Sequence, residues 1–396
     1  MSRRTPMLAP PQKKGSGAKV GNIFEFMTRL LTCILVSGAT ALSLAAAPAA
    51  LANVLTFTSY TTTNTTNFGN NTVNGVFASN SNIYAATSGG LSISTNGGTS
   101  WINRTVANGL GSNIVNGVFA SGSNIYAATS GGLSISTNGG ASWINRTVAN
   151  GLGNNTVRSV IAIGNNVYAG TGVGLSISTN GGTSFTNYTN ALNSTNTNVN
   201  GVYATTNGTI YAATNGGGLS ISTNGGTAWT NYTTTNTGGG LGGNTLYGVY
   251  VNDSNIYAAT NGGLSISTDG GTSWTRRTTL VNGLASNGVF GVYASGSNIY
   301  AATLSGLSIS TNGGSSFTNY TISNGLGNNF IRGVFVSDSN VYAATNGGGL
   351  SFAQQSDPNP VPAPLPVLGS AAALGFCRRL LSRSQRLHHA ATPRLA

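Results

Sequence analysis

Short apolar runs recur through residues 53–352, and clusters of small polar residues cut them apart. The second copy of the pattern shows its units: Val118-Phe119-Ala120, then residues 124–129 (NIYAAT), 132–137 (GLSIST) and 142–147 (SWINRT). In the third unit Leu133 and Ile135 alternate with Ser134 and Ser136, the period of a strand with one apolar face. The stretch IYAA is apolar throughout and suits a strand covered on both faces. Ser-Gly-Ser, Ser-Gly-Gly and Asn-Gly-Gly stand between the units, and these residues accept the positive φ of tight turns. Each copy therefore predicts four strands in a meander, with Ala and Gly where neighbouring sheets press together.

The phrase GLSISTNGG returns in seven near-copies, at Leu91, Leu133, Leu175, Leu219, Leu264, Leu307 and Leu350, with 42 to 45 residues between successive copies. Such a period, with several short strands per copy, marks a β-propeller in which each copy is one blade. The expected fold class is all-β, a seven-bladed β-propeller of four-stranded antiparallel blades. The phase of the copies adds a closing device. The seventh copy stops at Phe352 without a fourth strand, while residues 56–64 (TFTSYTTTN) match residues 228–236 (AWTNYTTTN), which follow the fourth copy's turn. An N-terminal strand is expected to complete the last blade and remove the sheet edges an open array would expose. A parallel β-helix is the alternative, because secreted fibres share the Gly, Asn, Ser and Thr richness. It leaves the hairpin turns and the displaced strand unexplained.

Six copies carry the turn S-T-N-G-G-T-S-W or a close variant. Its key pairs are Asn96 and Trp101, Asn138 and Trp143, Asn180 and Phe185, Asn224 and Trp229, Asp269 and Trp274, and Asn312 and Phe317. The Asn or Asp side chain is expected to bond the backbone two residues on, the paired glycines to supply φ > 0, and the aromatic ring to fold back on the hairpin. The motif resembles the Asp-box, or BNR repeat, of sialidase-type and photosystem-assembly-type propellers. Five of the six boxes have Asn in place of Asp. Asn keeps the acceptor oxygen and loses the charge, so a structural turn is expected and metal binding, which needs clustered carboxylates, is not. Segments such as Asn108-Gly109-Leu110 and Asn324-Gly325-Leu326 resemble the NGL phrase of sensor-type regulator propellers, which implies a ligand-sensing relative.

The two ends have a different composition. Residues 30–44 form an apolar run after Arg29, followed by Ala50-Leu51-Ala52. This reads as a secretory signal peptide, so residues 1–52 are taken as an N-terminal extension plus signal, and residues 53–352 as the exported propeller. Met27 would make a signal of ordinary length, which leaves Met1 or Met27 as the start. Residues 353–366 are a Pro-rich linker. Residues 367–396 hold a short apolar segment and an Arg cluster at Arg378, Arg379, Arg383 and Arg386. This tail resembles the PEP-CTERM sorting signal of exported bacterial proteins, which implies envelope or membrane attachment. Ala363 stands where that signal usually has Glu, and the apolar part is shorter than a span of about 20 residues.

The net charge of +12 sits mostly at the ends: residues 53–352 hold six Arg, three Asp and no Lys, Glu or His. A nucleic-acid partner is therefore not expected. Cys33 and Cys377 lie outside the propeller, so disulfides do not hold it together, and a chain of this length buries enough apolar surface without them. A glycosidase needs a pair of carboxylates about the scissile bond, whereas Asp253, Asp269 and Asp338 read as turn residues. No cofactor and no enzyme activity are expected. The expectation is a non-catalytic, exported, monomeric binding or scaffold domain for a protein or glycan partner. An extracellular structural or matrix protein is the alternative, and a glycosidase-like enzyme a distant third.

One position varies while its neighbours stay nearly constant, just before the Gly-Val of each first strand: Asn74, Asn116, Arg158, Asn200, Tyr247, Phe290 and Arg332. In a propeller this position lies at the mouth of the central channel, where concave sites with convergent polar groups bind ligands. The arginines are candidates for an anionic or carbonyl-rich group, and the aromatics for an apolar or sugar face. Export with cleavage after Ala52 predicts a mature chain beginning at Asn53. Mass spectrometry of the N-terminus checks it, and an intact segment from Arg29 to Ala52 in cytoplasmic protein refutes it.

Overall fold

The computed structural model describes residues 55–189, 192 and 197–355. The leader, its cleavage point, nearly all of the linker, the Arg-rich tail, Cys33 and Cys377 lie outside the described residues. Among the described residues the strands form seven four-stranded antiparallel sheets. Six are meanders of consecutive strands. The seventh joins Thr58–Tyr60 to Leu350–Gln354, with Thr58 opposite Phe352 and Tyr60 opposite Leu350. The fold is a seven-bladed β-propeller whose last blade is completed by the N-terminal strand. Blades are numbered here from the sheet whose first strand is Val73–Ser79.

In blade two the strands are Val115–Ser121, Asn124–Thr129, Gly132–Ser136 and Ile144–Arg146. The second strand is buried from Ile125 to Thr129, as its unbroken apolar run requires. The third strand departs from its sequence pattern. It is buried throughout, serines included, so it has no solvent face. The reason is that each serine is hydrogen-bonded, which removes the cost of burying a hydroxyl. Ser134 Oγ donates to Asn145 Oδ1 at 3.1 Å and accepts from the Gly111 N–H at 2.9 Å, tying two strands to the incoming connection. Ser136 Oγ donates to Asn138 Oδ1 and accepts from the Gly140 N–H, both at 2.9 Å.

The six boxes also correct one expectation. The Asn or Asp oxygen reaches the N–H four residues on, not two: Asn96 accepts from Ser100, Asn138 from Ser142, Asn180 from Ser184, Asn224 from Ala228, Asp269 from Ser273 and Asn312 from Ser316, at 2.9–3.0 Å. The serine two residues before caps the nearer N–H instead, as Ser94 does for Gly98. Both glycines of the pair have positive φ, 67° and 91° at Gly97 and Gly98. Trp101, Trp229 and Trp274 fold back and donate their indole N–H to the second glycine's carbonyl at 3.0 Å. Trp143 occupies the same place, with its N–H buried and unpartnered.

The core is divided among the blade seams. Tyr84, Leu91 and Ile93 of blade one pack with Val115, Ile125 and Ala127 of blade two, and the pattern repeats around the ring. Each fully buried Leu or Ile contributes roughly 1.5–3 kcal/mol. The closing seam follows the same plan with different residues. Phe57 packs with Tyr300, Leu307 and Ile331 and donates its N–H to Asn324 O at 2.8 Å, as Phe317 donates to Asn282 O at 3.0 Å. Phe57 thus replaces the aromatic of the box that blade seven lacks. Gln355 replaces the turn: its N–H donates to Ser339 O, as the Gly97 N–H donates to Ser81 O in blade one.

The first strand of every blade is innermost and lies against the first strands on both sides. This close approach needs a residue without a side chain. A methyl group added at Gly201 would lie 2.9 Å from Gly248 Cα, and one at Gly291 would lie 3.2 Å from Gly333 Cα. Blade three alone has a larger residue here, Ser159. Its partner across the ladder is Gly170, where the other blades have Ala. A methyl group at Gly170 would lie 2.5 Å from Ser159 Oγ. The two positions have exchanged size, and Gly170→Ala is expected to destabilise by about 1–3 kcal/mol through overpacking. Adding Ser159→Gly should recover at least about 0.5 kcal/mol by non-additivity, read from the denaturant midpoint. Simple additivity of the two changes would refute the pairing.

Candidate functional site

Each first strand carries a β-bulge at the same place. The register jumps from Val73 to Gly75 in blade one, from Val157 to Ser159 in blade three and from Ile331 to Gly333 in blade seven, and likewise in the others. The residue left out of the ladder is Asn74, Asn116, Arg158, Asn200, Tyr247, Phe290 or Arg332. Bulges re-aim a side chain, and here they do so once per blade about the axis. Asn116, Arg158, Asn200 and Tyr247 border a cavity of about 220 Å³ among the first strands, with Gly75 and Val249 also in its wall, whereas Asn74, Phe290 and Arg332 do not line it.

The seven positions divide by chemistry. Asn74, Asn116 and Asn200 donate Nδ2 to the carbonyl of the next blade's first strand, at Val115, Val157 and Leu246, each at 2.8 Å. These three are clamps between blades. Arg158 is exposed. Tyr247 and Phe290 stack at 4.6 Å between ring centres, with planes 26° apart. Phe290 meets Phe330 at 4.7 Å, and the Arg332 guanidinium sits 5.2 Å from the centre of the Phe330 ring, a cation–π distance. Arg332 Nη2 also donates to Asn346 Oδ1 at 2.9 Å. Burial lowers the Arg332 pKa from a value so high that the group keeps its charge. Phe330 was missed in the sequence. Its counterparts two residues before the bulge are Thr72, Ile114, Thr156, Asn198, Thr245 and Gly288, and this second variation among copies was the available signal.

Three residues beyond each bulge stands a second ring of side chains: Phe77, Phe119, Ile161, Tyr203, Tyr250, Tyr293 and Phe335. Neighbouring aromatics lie 4.8–5.2 Å apart and pack into the seams. Burial, with Tyr293 and Tyr203 alongside, pushes the Tyr250 hydroxyl pKa up. A larger cavity of about 570 Å³ lies away from the axis, between the N-terminal strand and the box of blade one. Its floor is already packed: Tyr60 stacks on Phe352 at 4.8 Å, and Trp101 is 3% exposed. Burial pushes the Tyr60 hydroxyl up to about 12. The smaller axial cavity has the side chains that differ between blades and is the better candidate.

The blades present two unlike faces. On the mouth face the hairpin between second and third strands bonds the start of the first strand, as Ser88 N–H does to Thr72 O and Leu304 N–H to Gly288 O. On the opposite face the box turns bond the turn between first and second strands, as Gly97 does to Ser81. All three carboxylates of the described residues belong to that second face. Asp253 and Asp338 hold positive φ of 54° and 53° in its turns, and Asp269 is in a box. Hydrogen bonds from the Ser273 hydroxyl and N–H and from Ser267 hold the Asp269 carboxyl at about 2. No group of three His, Cys, Asp or Glu that would hold a metal ion occurs among the described residues.

No protein-family model matches the chain, and no curated protein matches it. Solved structures match in fold. The extracellular domain of BT3049 from B. thetaiotaomicron, assigned to a hybrid two-component system, superposes with a TM-score of 0.62 at 19% identity over 77% of this chain and 42% of its own. YCF48 bound to D1 peptide gives 0.56 at 17% identity, over 77% of this chain and 98% of its own. PorZ, a surface component of the type-IX secretion system of Porphyromonas gingivalis, gives 0.52 at 15% identity, over 72% and 38%. The chain thus spans about two-fifths of the BT3049 and PorZ structures and nearly all of YCF48.

The clamps and the free mouth residues should separate in stability. Asn116→Ala is expected to cost about 0.5–1.5 kcal/mol, a partly buried hydrogen bond, while Arg158→Ala stays within about 0.5 kcal/mol as a surface change. Chemical denaturation of both variants checks this, and equal costs would refute the division.

Proposed function

We propose that this protein is an exported, non-catalytic binding module that recognises a protein or glycan partner at the mouth of its central channel. One observation carries the reading. Seven equivalent bulges stand around the axis, Arg158 and Tyr247 border the axial cavity, Phe290 stacks on Tyr247 and Arg332 reaches the same arc through Phe330, and these four are of the types that dominate binding hot spots. The fold neighbours fit the reading: one is an extracellular domain of a sensor system, one is bound to a peptide and one is a bacterial surface component. The boxes serve as structural Asp-box turns, and the tail as a PEP-CTERM-like attachment to the envelope. A catalytic role is disfavoured because the three carboxylates lie on the face opposite the mouth and lack the paired arrangement of a glycosidase.

The structural or matrix alternative has no use for a saturable ligand. A glycan array and an envelope pull-down with the full chain are expected to return one, and incubation with sialosides and common glycans to show no turnover. For that ligand, the pair Arg158→Ala and Arg332→Ala should weaken binding by about 1.5 kcal/mol or more, the worth of a charged hydrogen bond. Unchanged affinity with an intact fold places the ligand elsewhere.

A further inference from the structure

The geometry points to a carboxylate-binding site on the outer rim, at the seam between blades one and two, built from Arg104 and Trp143. It stands apart from the mouth and does not depend on it. The last residue of each fourth strand reaches across the seam to the second glycine of the next blade's box. A methyl group added at Gly98 would strike the Tyr60 hydroxyl, one at Gly271 would lie 3.1 Å from the Tyr232 hydroxyl, and one at Gly226 would lie 3.5 Å from Tyr188 Cζ. At Gly314 the neighbour is Arg277 Nε, at 3.4 Å. Blades one, two and five thus carry Arg104, Arg146 and Arg277 where the other four carry Tyr188, Tyr232, Tyr320 and Tyr60.

Tyrosine and arginine leave the box in different states. Trp101, Trp229 and Trp274 pack with Tyr60, Tyr188 and Tyr232, and each donates its indole N–H to the second glycine's carbonyl. Trp143 is the box tryptophan that faces an arginine, and its Nε1 is buried without an acceptor. The Nε atoms of Arg104, Arg146 and Arg277 are buried and unpartnered as well. Both kinds of donor meet between blades one and two. There a methyl group at Gly140 would lie 3.0 Å from Ile93 Cδ1 and 3.5 Å from Trp143 Cζ2, as one at Gly314 would lie 3.0 Å from Ile266 Cδ1. The two seams match, which sets Arg104 Nε beside the indole. A buried donor without an acceptor bears its full desolvation cost, and in folded proteins such groups are met by water or an ion. Water answers the hydrogen bonds and leaves the charge. The carboxylates of the described residues, Asp253, Asp269 and Asp338, belong to blades five and seven, so none of them neutralises Arg104. A carboxylate answers both needs: the Nε edge of a guanidinium is a planar fork of two donors, and Trp143 Nε1 adds a third. Arg146 and Arg277 look onto the boxes of Phe185 and Phe317, which have no side-chain N–H to add, and their seams are weaker versions of the site.

The test follows the indole N–H resonances of the four tryptophans in the full chain, isotope-labelled at tryptophan, with Trp143 assigned by its loss in Trp143→Phe. Acetate is expected to shift that resonance saturably while the other three stay in place, and chloride at equal ionic strength to shift none. In Arg104→Tyr, which repeats the choice of four other seams, the Trp143 resonance should join the range of the other three and stop responding. Arg104→Lys keeps the charge and loses the fork, and should weaken acetate at least about tenfold. A Trp143 resonance that ignores acetate, follows chloride equally or still responds in Arg104→Tyr overturns the inference. So does one that reports contact with water and none with acetate, which assigns the donors to a bound water. Glucuronate and N-acetyl-aspartate amide then separate an acidic glycan from an acidic protein as the source, and tighter binding of either supports the site.

Discussion

Seven innermost strands stand side by side around one axis, and they approach so closely that the contact position admits almost no side chain. That constraint organises the rest. It sets glycine at the contact in six blades, and in blade three it forces the serine there to be offset by a glycine across the ladder. It also explains the bulge. A strand that presses its neighbour at one residue and must still pack both seams gains an extra residue just before the contact. That residue has no ladder partner to satisfy, so it is free to differ from blade to blade. The candidate site is therefore a by-product of ring closure: three of these positions are used as asparagine clamps between blades, and the others carry the side chains that differ.

The stabilising contacts are spread over seven seams, each a small core between two blades, and the polar side chains that dominate the composition are structural within them. Buried serines of the third strands, the box amides and the bulge asparagines each hold a backbone group that would otherwise be unpaired. A chain with so few charged residues can afford this because hydroxyls and amides desolvate far more cheaply than ions. The fold spends Asn, Ser and Thr where many proteins use larger apolar cores, which is why the sequence looks fibrous or disordered by composition and yet forms a closed ring.

Much of this was legible before the structure. The repeat period named the propeller, the missing fourth strand of the last copy pointed to the N-terminal strand, and the variable position in each copy proved to be the bulge residue. What could not be read was direction. Ser134 alternates with Leu133 as a solvent-facing residue would, and only the partner strand and the incoming connection reveal that its hydroxyl is paired and buried. The box oxygen reaches four residues on because the preceding serine occupies the nearer N–H, a competition that turn chemistry alone does not decide. Phe330 escaped notice because its meaning depends on Phe290 and Arg332 in space, and the asparagine clamps because their acceptors lie one full blade away.

The divided last blade has a consequence for how the chain can be cut. Phe57 and Gln355 each supply one half of a turn that the other blades make continuously, so the break in the backbone falls at a point of the circle that is not special in itself. Topologically, six other positions are equivalent to it. A circularly permuted chain, with its ends moved into another blade's box and the present ends joined by a box-like turn, would preserve every seam. The repeat as written in the sequence and the blade as it folds are out of step by one strand, and this offset ties the two ends of the propeller into one sheet.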